Sequence, residues 1–482
     1  MTERENQERE QDRERIRLLE FQLDHLRAEL LHLTHERYRL IYSVSGHIYR
    51  FLRPIEAFLA DAANAFRARF RAPTDAATPS ALDQGAPPVR AAPLPARRLL
   101  VDVTGTIKRD AGTGIQRVVK EVTRGLYSGE SFDLPALAVR CDGGRLLTAN
   151  GFVAELVGGD AAPDSEVVIA AGDRLLMLSD SWNAFDALAP IFATIRDAGG
   201  EVVTCIFDLI PELYPHACHE TTVPRYRAWL RKALLESDGF LAISRTVADE
   251  LADYVVAQAL PHRPGLKIGW FHCGSDLMLR AGAAPRDAVR SAVAGDAPVF
   301  LAVGTIEPRK GQRVALRAFE ELWARGRDVR LVVVGRRGWF EEAVTSEIRG
   351  HSEFGRRLFW FEDADDDELS FLYDHAAALV FPSYAEGFGL PIVEAARRGR
   401  PVICSDIPIF REVGRAGALY FRVNDAKALA ETVADFLDGR RAADPDQILR
   451  AAWRDAARRI VEVVAREDWS RRLPEIAGCA AK

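Results

Sequence analysis

Phe381-Pro382-Ser383-Tyr384-Ala385-Glu386-Gly387-Phe388-Gly389-Leu390-Pro391-Ile392-Val393-Glu394 carries the strongest fold signal in the chain. The apolar run from Ala376 to Phe381 reads as a short buried strand, and Pro391 is pre-organised for the first position of a helix running to about Arg398. Between them lies a glycine-broken loop. Gly387 and Gly389 let the backbone approach a ligand closely, and the free N–H groups at the helix start carry partial positive charge toward an anion. Glu386 and Glu394 bracket the loop at the spacing Glu-x7-Glu. Phosphate on the amide ends and hydroxyls on the carboxylates together describe a nucleotide sugar. The plain alternative is that Glu394 complements the helix dipole and the glycines only make a turn.

The same strand–loop–helix rhythm recurs on both sides of this loop. From Leu99 onward apolar runs alternate with amphipathic segments, the signature of parallel sheets covered by helices. Strands are expected at Leu99–Val103, Arg174–Leu178, Val202–Phe207, Gly239–Ile243 and Lys267–Phe271, with helices such as Ile115–Leu126, Trp182–Asp197, Arg225–Glu236 and Arg245–Val256 between them. These make one Rossmann-like domain over residues 99–283. A break rich in Ala, Gly, Pro and Asp follows at Ala281–Gly295. The alternation restarts with Val299–Val303, Val329–Val334, Leu358–Phe361, Ala376–Phe381, Pro401–Cys404 and Ala418–Phe421, a second Rossmann-like domain over residues 284–440. Residues 441–482 are expected to be C-terminal helices that cross back to the first domain. Two such domains take their ligand in the cleft between them.

The amino-terminal part is of another kind. Ile16, Leu19, Leu23, Leu26, Leu30, Leu33, Leu40 and Val44 fall on alternating three- and four-residue steps, the seam of a coiled coil of roughly four heptads. It reads as a homo-oligomer contact through residues 16–44, or as a helix packed on its own catalytic domain. In residues 48–70, Ile48, Phe51, Ile55, Phe58 and Leu59 share a face with Arg50, Arg53, Arg67 and Arg69 interspersed, which suits either an anionic membrane surface or a continued helical hairpin. Residues 71–98, with six prolines among Ala, Ser and Thr, read as a disordered linker.

Composition bounds the function. At 482 residues and 48% hydrophobic content, the chain can fill more than one core. A net charge of -6 argues against a nucleic-acid partner, whose footprint would be a basic domain. The six cysteines include no Cys-x-x-Cys pair, which disfavours a disulfide framework and structural zinc and points to a cytoplasmic chain. No stretch of about 18 residues is apolar and uncharged, and the first 20 residues are too highly charged for a signal peptide.

Further turns repeat the theme. Thr104-Gly105-Thr106 and Gly112-Thr113-Gly114 leave a strand and open a helix, so Gly112 and Gly114 can cradle a phosphate or sugar, or simply turn the chain. Gly304-Thr305-Ile306-Glu307-Pro308-Arg309-Lys310-Gly311 turns at a glycine and sets two adjacent cations before a helix. Arg309 and Lys310 suit a departing diphosphate, or are plain surface cations. Gly335-Arg336-Arg337-Gly338-Trp339 could wall the base and ribose. Asp363-Ala364-Asp365 spells Asp-x-Asp but leads an acidic run that reads as helix N-terminal charge, so no metal is expected. His216-Ala217-Cys218-His219 lacks a second ligand cluster and reads as part of an acceptor loop.

Taken together, Gly304–Gly311, Tyr373-Asp374-His375-Ala376, Phe381-Pro382-Ser383 and Glu386–Ala395 resemble the retaining, GT-B-fold glycosyltransferases of family 4, in order and interval over residues 298–425. The first domain adds Phe207-Asp208-Leu209-Ile210-Pro211, Ala242-Ile243-Ser244 and Gly274-Ser275-Asp276. The Thr-Ile-Glu-Pro-Arg-Lys and Asp-Leu-Ile-Pro variants resemble the mannosyltransferase-like branch that builds bacterial surface polysaccharides. The resemblance implies an α/β, GT-B architecture of two Rossmann-like domains facing a cleft. It also implies a metal-independent hexosyltransferase (EC 2.4.1.-) with no bound cofactor. Such an enzyme moves mannose or a similar hexose, with GDP-mannose as expected donor, to a saccharide or lipid-linked saccharide at the inner face of the membrane. By the same resemblance Glu394 holds the ribose hydroxyls, Glu386 lies beside the donor sugar, and the amides of Phe388, Gly389 and Leu390 meet sugar and phosphate. Arg309 and Lys310 match the diphosphate clamp, Gly304 and Gly335 line the nucleotide, and Trp453 begins the last helix that fastens the two halves.

Two positions depart from the pattern. Thr305 stands where many members carry an arginine, so Arg309 must supply the charge, and Phe207 stands where many carry a histidine. Retaining transfer by front-face attack lets the departing phosphate accept the acceptor's proton. That leaves the protein to position the reactants and stabilise the diphosphate. Asp208, at the carboxyl end of a strand, is the candidate to orient the acceptor hydroxyl, or a structural cap of its loop. Two rival readings are a nucleotide-sugar epimerase of the same fold, and a non-enzymatic partner working through residues 1–70.

Overall fold

Leu99 and Val101 face one apolar cluster while Leu100, between them, faces another, so the strand they form is covered on both sides. That is why its sequence reads as an unbroken apolar run. In the computed structural model, which describes residues 97–110, 112–179, 181–276, 284–338 and 342–474, this strand is β1 (Leu99–Asp102) of a mostly parallel sheet. The sheet also holds β2 (Ala136–Asp142), β3 (Arg145–Thr148), β4 (Arg174–Met177), β5 (Glu201–Ile206), β6 (Gly239–Ala242) and β7 (Lys267–Trp270), in the spatial order β7-β6-β5-β4-β1-β2-β3. Only β3 runs antiparallel among these. The second sheet is wholly parallel, with β8 (Val299–Val303), β9 (Arg330–Val334), β10 (Leu358–Phe361), β11 (Ala378–Phe381), β12 (Val402–Ser405) and β13 (Leu419–Phe421) in the order β10-β9-β8-β11-β12-β13. Two parallel-dominated α/β sheets of this kind fit a GT-B fold. The expectations for residues 16–44 and 48–70, most of the linker, and Trp339 lie outside the described residues.

Three differences from the expected elements have plain causes. The β2–β3 hairpin is additional: Gly143 and Gly144 both take positive φ (56° and 77°), which turns the chain between two antiparallel strands. Arg98, inside the expected linker, belongs to the folded first lobe, because its guanidinium is tied to the buried Asp173 at 3.1 and 2.5 Å. Past residue 441 a single long helix, Trp453–Ala465, is followed by a short strand, β14 (Arg471–Arg472), which pairs antiparallel with β7 in the first sheet.

The two lobes touch along several contacts. At the start of the Trp453–Ala465 helix, the Trp453 amide donates to Asp276 Oδ1 at 2.8 Å. A Cβ on Gly125, in the helix Gly114–Leu126, would sit 2.9 Å from the Trp453 carbonyl oxygen, so glycine there sets the closeness of these two helices. Glu412, on the helix Pro408–Gly414 of the second lobe, accepts from the amides of Arg245 (2.9 Å) and Thr246 (2.7 Å). Those amides open the helix Arg245–Ala257 of the first lobe, where a carboxylate satisfies otherwise orphaned donors and meets the positive end of the helix dipole.

Candidate active site

The loop after β11 is held open by glycine. Gly389 caps the helix Leu390–Arg397 with φ +96°, and a Cβ on Gly387 would lie 1.9 Å from the carbonyl oxygen of Phe207 on the opposite lobe. The Ser244 hydroxyl donates to the Gly387 carbonyl at 2.8 Å. The turn Phe388–Leu390 therefore sits where the carboxyl ends of the two sheets meet.

Glu386 in this loop is gripped from the second lobe. Arg309 Nη1 reaches Glu386 Oε2 at 3.0 Å and the Ala385 carbonyl at 3.1 Å, while Lys310 Nζ reaches Glu386 Oε1 at 2.6 Å. Arg309 Nε also pairs with the buried Glu307 at 3.1 Å. Burial alone would raise the Glu386 carboxyl, but Lys310 and Arg309 outweigh it and hold it below its ordinary value. Burial and the adjacent Arg309 lower Lys310, against the pull of Glu386. Lys310 runs alongside Gly304, whose φ of +144° and missing side chain leave room for its methylenes. Gly335 packs on Gly304 so closely that a Cβ would lie 2.0 Å from the Gly304 carbonyl oxygen.

Asp208 faces this cluster from the end of β5. Its carboxylate caps its own loop by accepting from the Ile210 amide at 3.0 Å. Burial raises its proton affinity, Arg309 opposes that, and Glu386 adds to it. Glu394, one turn into the helix, is 3% exposed and accepts the Tyr373 hydroxyl at 2.9 Å and Arg117 Nη1 at 2.7 Å. Gly112 (φ +61°) and Gly114 are exposed at the start of the Gly114–Leu126 helix, and a Cβ on Gly112 would stand 3.5 Å from the Arg336 guanidinium. Beyond Arg336 lies a cavity of about 480 Å³ lined by Arg336, Arg337, Glu362, Asp363, Ala364 and Asp365. Asp363 pairs with Arg286 and Asp365 caps the helix Asp366–His375.

Arg309, Lys310, Glu386 and Asp208 thus share one cluster, with the Phe388–Leu390 turn beside it. Glu394, bonded to Arg117 of the first lobe, and Gly112, beside Arg336 of the second, also lie where the lobes meet. Glu307 and Tyr373 belong to quoted motifs but were given no role there, and nothing in the sequence singled out Arg117 or Glu250. The Glu250 side chain makes no hydrogen bond or ion pair among the described residues, and burial, with Asp208 and Glu412 adding to it, pushes its carboxyl up to about 8.

The paired cations and the glycine turn both lie in the second lobe, within the segment that resembles known proteins in kind. Residues 285–460 match the family model of glycosyl transferases group 1. The chain is similar to the serotype-specific mannosyltransferase WbdA of Escherichia coli, 31% identical over 347 residues that make up 71% of this chain and 43% of that protein. The chain therefore spans less than half the length of that relative. It is also similar to the O-antigen chain mannosyltransferase RfbU of Salmonella typhimurium, 35% identical over 27% of this chain and 35% of that protein. Among solved structures, Anabaena HepE in complex with UDP and glucose aligns with a TM-score of 0.49 and 16% identity, over 76% of this chain and 95% of that one.

Proposed function

We propose that the chain is a retaining, metal-independent hexosyltransferase that moves mannose from GDP-mannose to a saccharide or lipid-linked saccharide in surface-polysaccharide synthesis. It would act as a homo-oligomer at the cytoplasmic face of the membrane. The observation that carries this reading is the convergence of Arg309 and Lys310 on Glu386, at 3.0 and 2.6 Å, beside the amide-lined turn before Glu394. A diphosphate entering the crevice takes over the two cations and releases Glu386 to meet the hydroxyls of the transferred sugar. The departing phosphate then accepts the proton of the acceptor hydroxyl, which Asp208 orients from the facing lobe. The open, largely charged pocket of about 480 Å³ offers hydrogen-bonding groups to the nucleoside base. The mannosyltransferase names of the relatives favour mannose over other hexoses.

A thermal-shift panel of nucleoside diphosphates and nucleotide sugars tests the reading, because a ligand that binds the folded chain raises its melting temperature by an amount set by affinity. GDP and GDP-mannose are expected to give the largest shifts. A larger response to uridine nucleotides overturns the guanosine assignment, and no response to any of them overturns the donor site.

A further inference from the structure

Arg117 lies across Glu394, the carboxylate to which the proposed function assigns the donor ribose, and any role for the arginine there rests on that function. The arginine comes from the first lobe, on the Gly114–Leu126 helix, whereas Glu394 belongs to the second, 277 positions away. One arm, Nη1, reaches Glu394 Oε1 at 2.7 Å and the other, Nη2, reaches Asp366 Oδ1 at 2.5 Å. The two carboxylates differ sharply in setting: the side chain of Glu394 is 4% exposed and that of Asp366 is 69% exposed. The second oxygen of Glu394 is engaged by Tyr373, so the carboxylate has no oxygen left without a donor.

We propose that Arg117 is a built-in competitor for the ribose position: the donor's ribose hydroxyls must displace it from Glu394, and its return helps to expel the spent nucleoside diphosphate. The chemistry of the exchange is balanced. A carboxylate oxygen can accept either from a guanidinium N–H or from a ribose O–H, so the two donors compete for the same atom. Arg117 keeps one partner when it leaves, because Asp366 remains within reach at the exposed end of its fork. Asp366 directly follows Asp365 in the cavity wall, so the displaced guanidinium rests at the rim rather than inside. The device weakens nucleotide binding by the strength of one half-buried ion pair. Competition of this kind favours turnover wherever product release limits it.

Calorimetric titration of the full chain with GDP, UDP and their 2′,3′-dideoxy counterparts, for the wild type, Arg117→Ala and Arg117→Lys, tests this. The ribonucleotide that binds the wild type is expected to bind Arg117→Ala about fivefold or more tightly, the scale of one partly exposed ion pair. Its dideoxy counterpart, with nothing to offer Glu394, changes by less than about twofold on the same scale. Arg117→Lys, whose single ammonium cannot span both carboxylates, falls between and carries the test if the alanine variant does not fold. Unchanged or weaker ribonucleotide binding in the variants, or an equal gain for the dideoxy form, overturns the role of Arg117 alone. Failure of GDP and UDP to bind the wild type overturns the donor reading itself.

Discussion

Lys310 is a charge placed where burial works against it: burial and then Arg309 lower its proton affinity, with Glu386 and Glu307 pulling the other way. Such a cation, already stripped of water, stabilises a leaving diphosphate without reorganising. Lys310→Ala is therefore expected to lower turnover by about two to three powers of ten in a sugar-transfer assay. Unchanged turnover removes Lys310 from the clamp. Glu250 poses the opposite case, a carboxyl pushed up to about 8. Its folded form holds a proton more tightly than the unfolded chain, so stability falls as pH rises from the ordinary carboxyl range to about 8 and is flat above it. In melting curves, the wild type is expected to lose stability relative to Glu250→Gln across that window, and a pH-independent difference would refute the shift. Arg309, Lys310, Glu386 and Glu394 were singled out in the sequence because each sits in a short motif with a mechanism, and the structure brings the first three into contact. Arg117 and Glu250 were not singled out: Arg117 meets Glu394 across 277 positions, and Glu250 is set first by burial in the tertiary fold and then by Asp208 and Glu412, one on each lobe.

Among the elements, the loop after β11 tolerates no side chain at Gly387, where a Cβ would overlap the Phe207 carbonyl oxygen at 1.9 Å. Gly387→Ala is expected to push the loop from Phe207 and misplace Glu386, lowering turnover by about a hundredfold, the size of effect a displacement of about 1 Å produces. Circular dichroism should stay that of the wild type. Gly151→Ala, where nothing lies within 4 Å, serves as the control and keeps full turnover. Most strands were legible for the reason β1 shows, that burial on both faces writes an unbroken apolar run. The β2–β3 hairpin carried a signal too, in Asp142-Gly143-Gly144-Arg145, but it breaks the strand–helix alternation that guided the reading. β14 had none, because Arg471–Arg472 is two exposed arginines whose only strand character is pairing with β7.

Across the described chain, one apolar cluster runs from Leu99 and Val101 of the first sheet to Leu301 and Val332 of the second, through Trp453 and Ile460 of the returning helix. The lobes are thereby joined by packing as well as by Glu412 and Arg117. Assembly of whole chains is a separate matter, proposed to run through the heptads of residues 16–44. Deleting residues 1–72 is expected to lower the number of protomers per particle in light scattering, and an unchanged number refutes the coiled-coil contact. The position of β14 also fixes an order of events during synthesis. Its partner β7 ends about 200 residues earlier, so at about 5–20 residues per second a nascent amino-terminal lobe waits about 10–40 s for its outermost strand. Throughout that interval the polypeptide leaving the ribosome carries an open edge at Lys267–Trp270, a template for mispairing with neighbouring chains until the last stretch is translated.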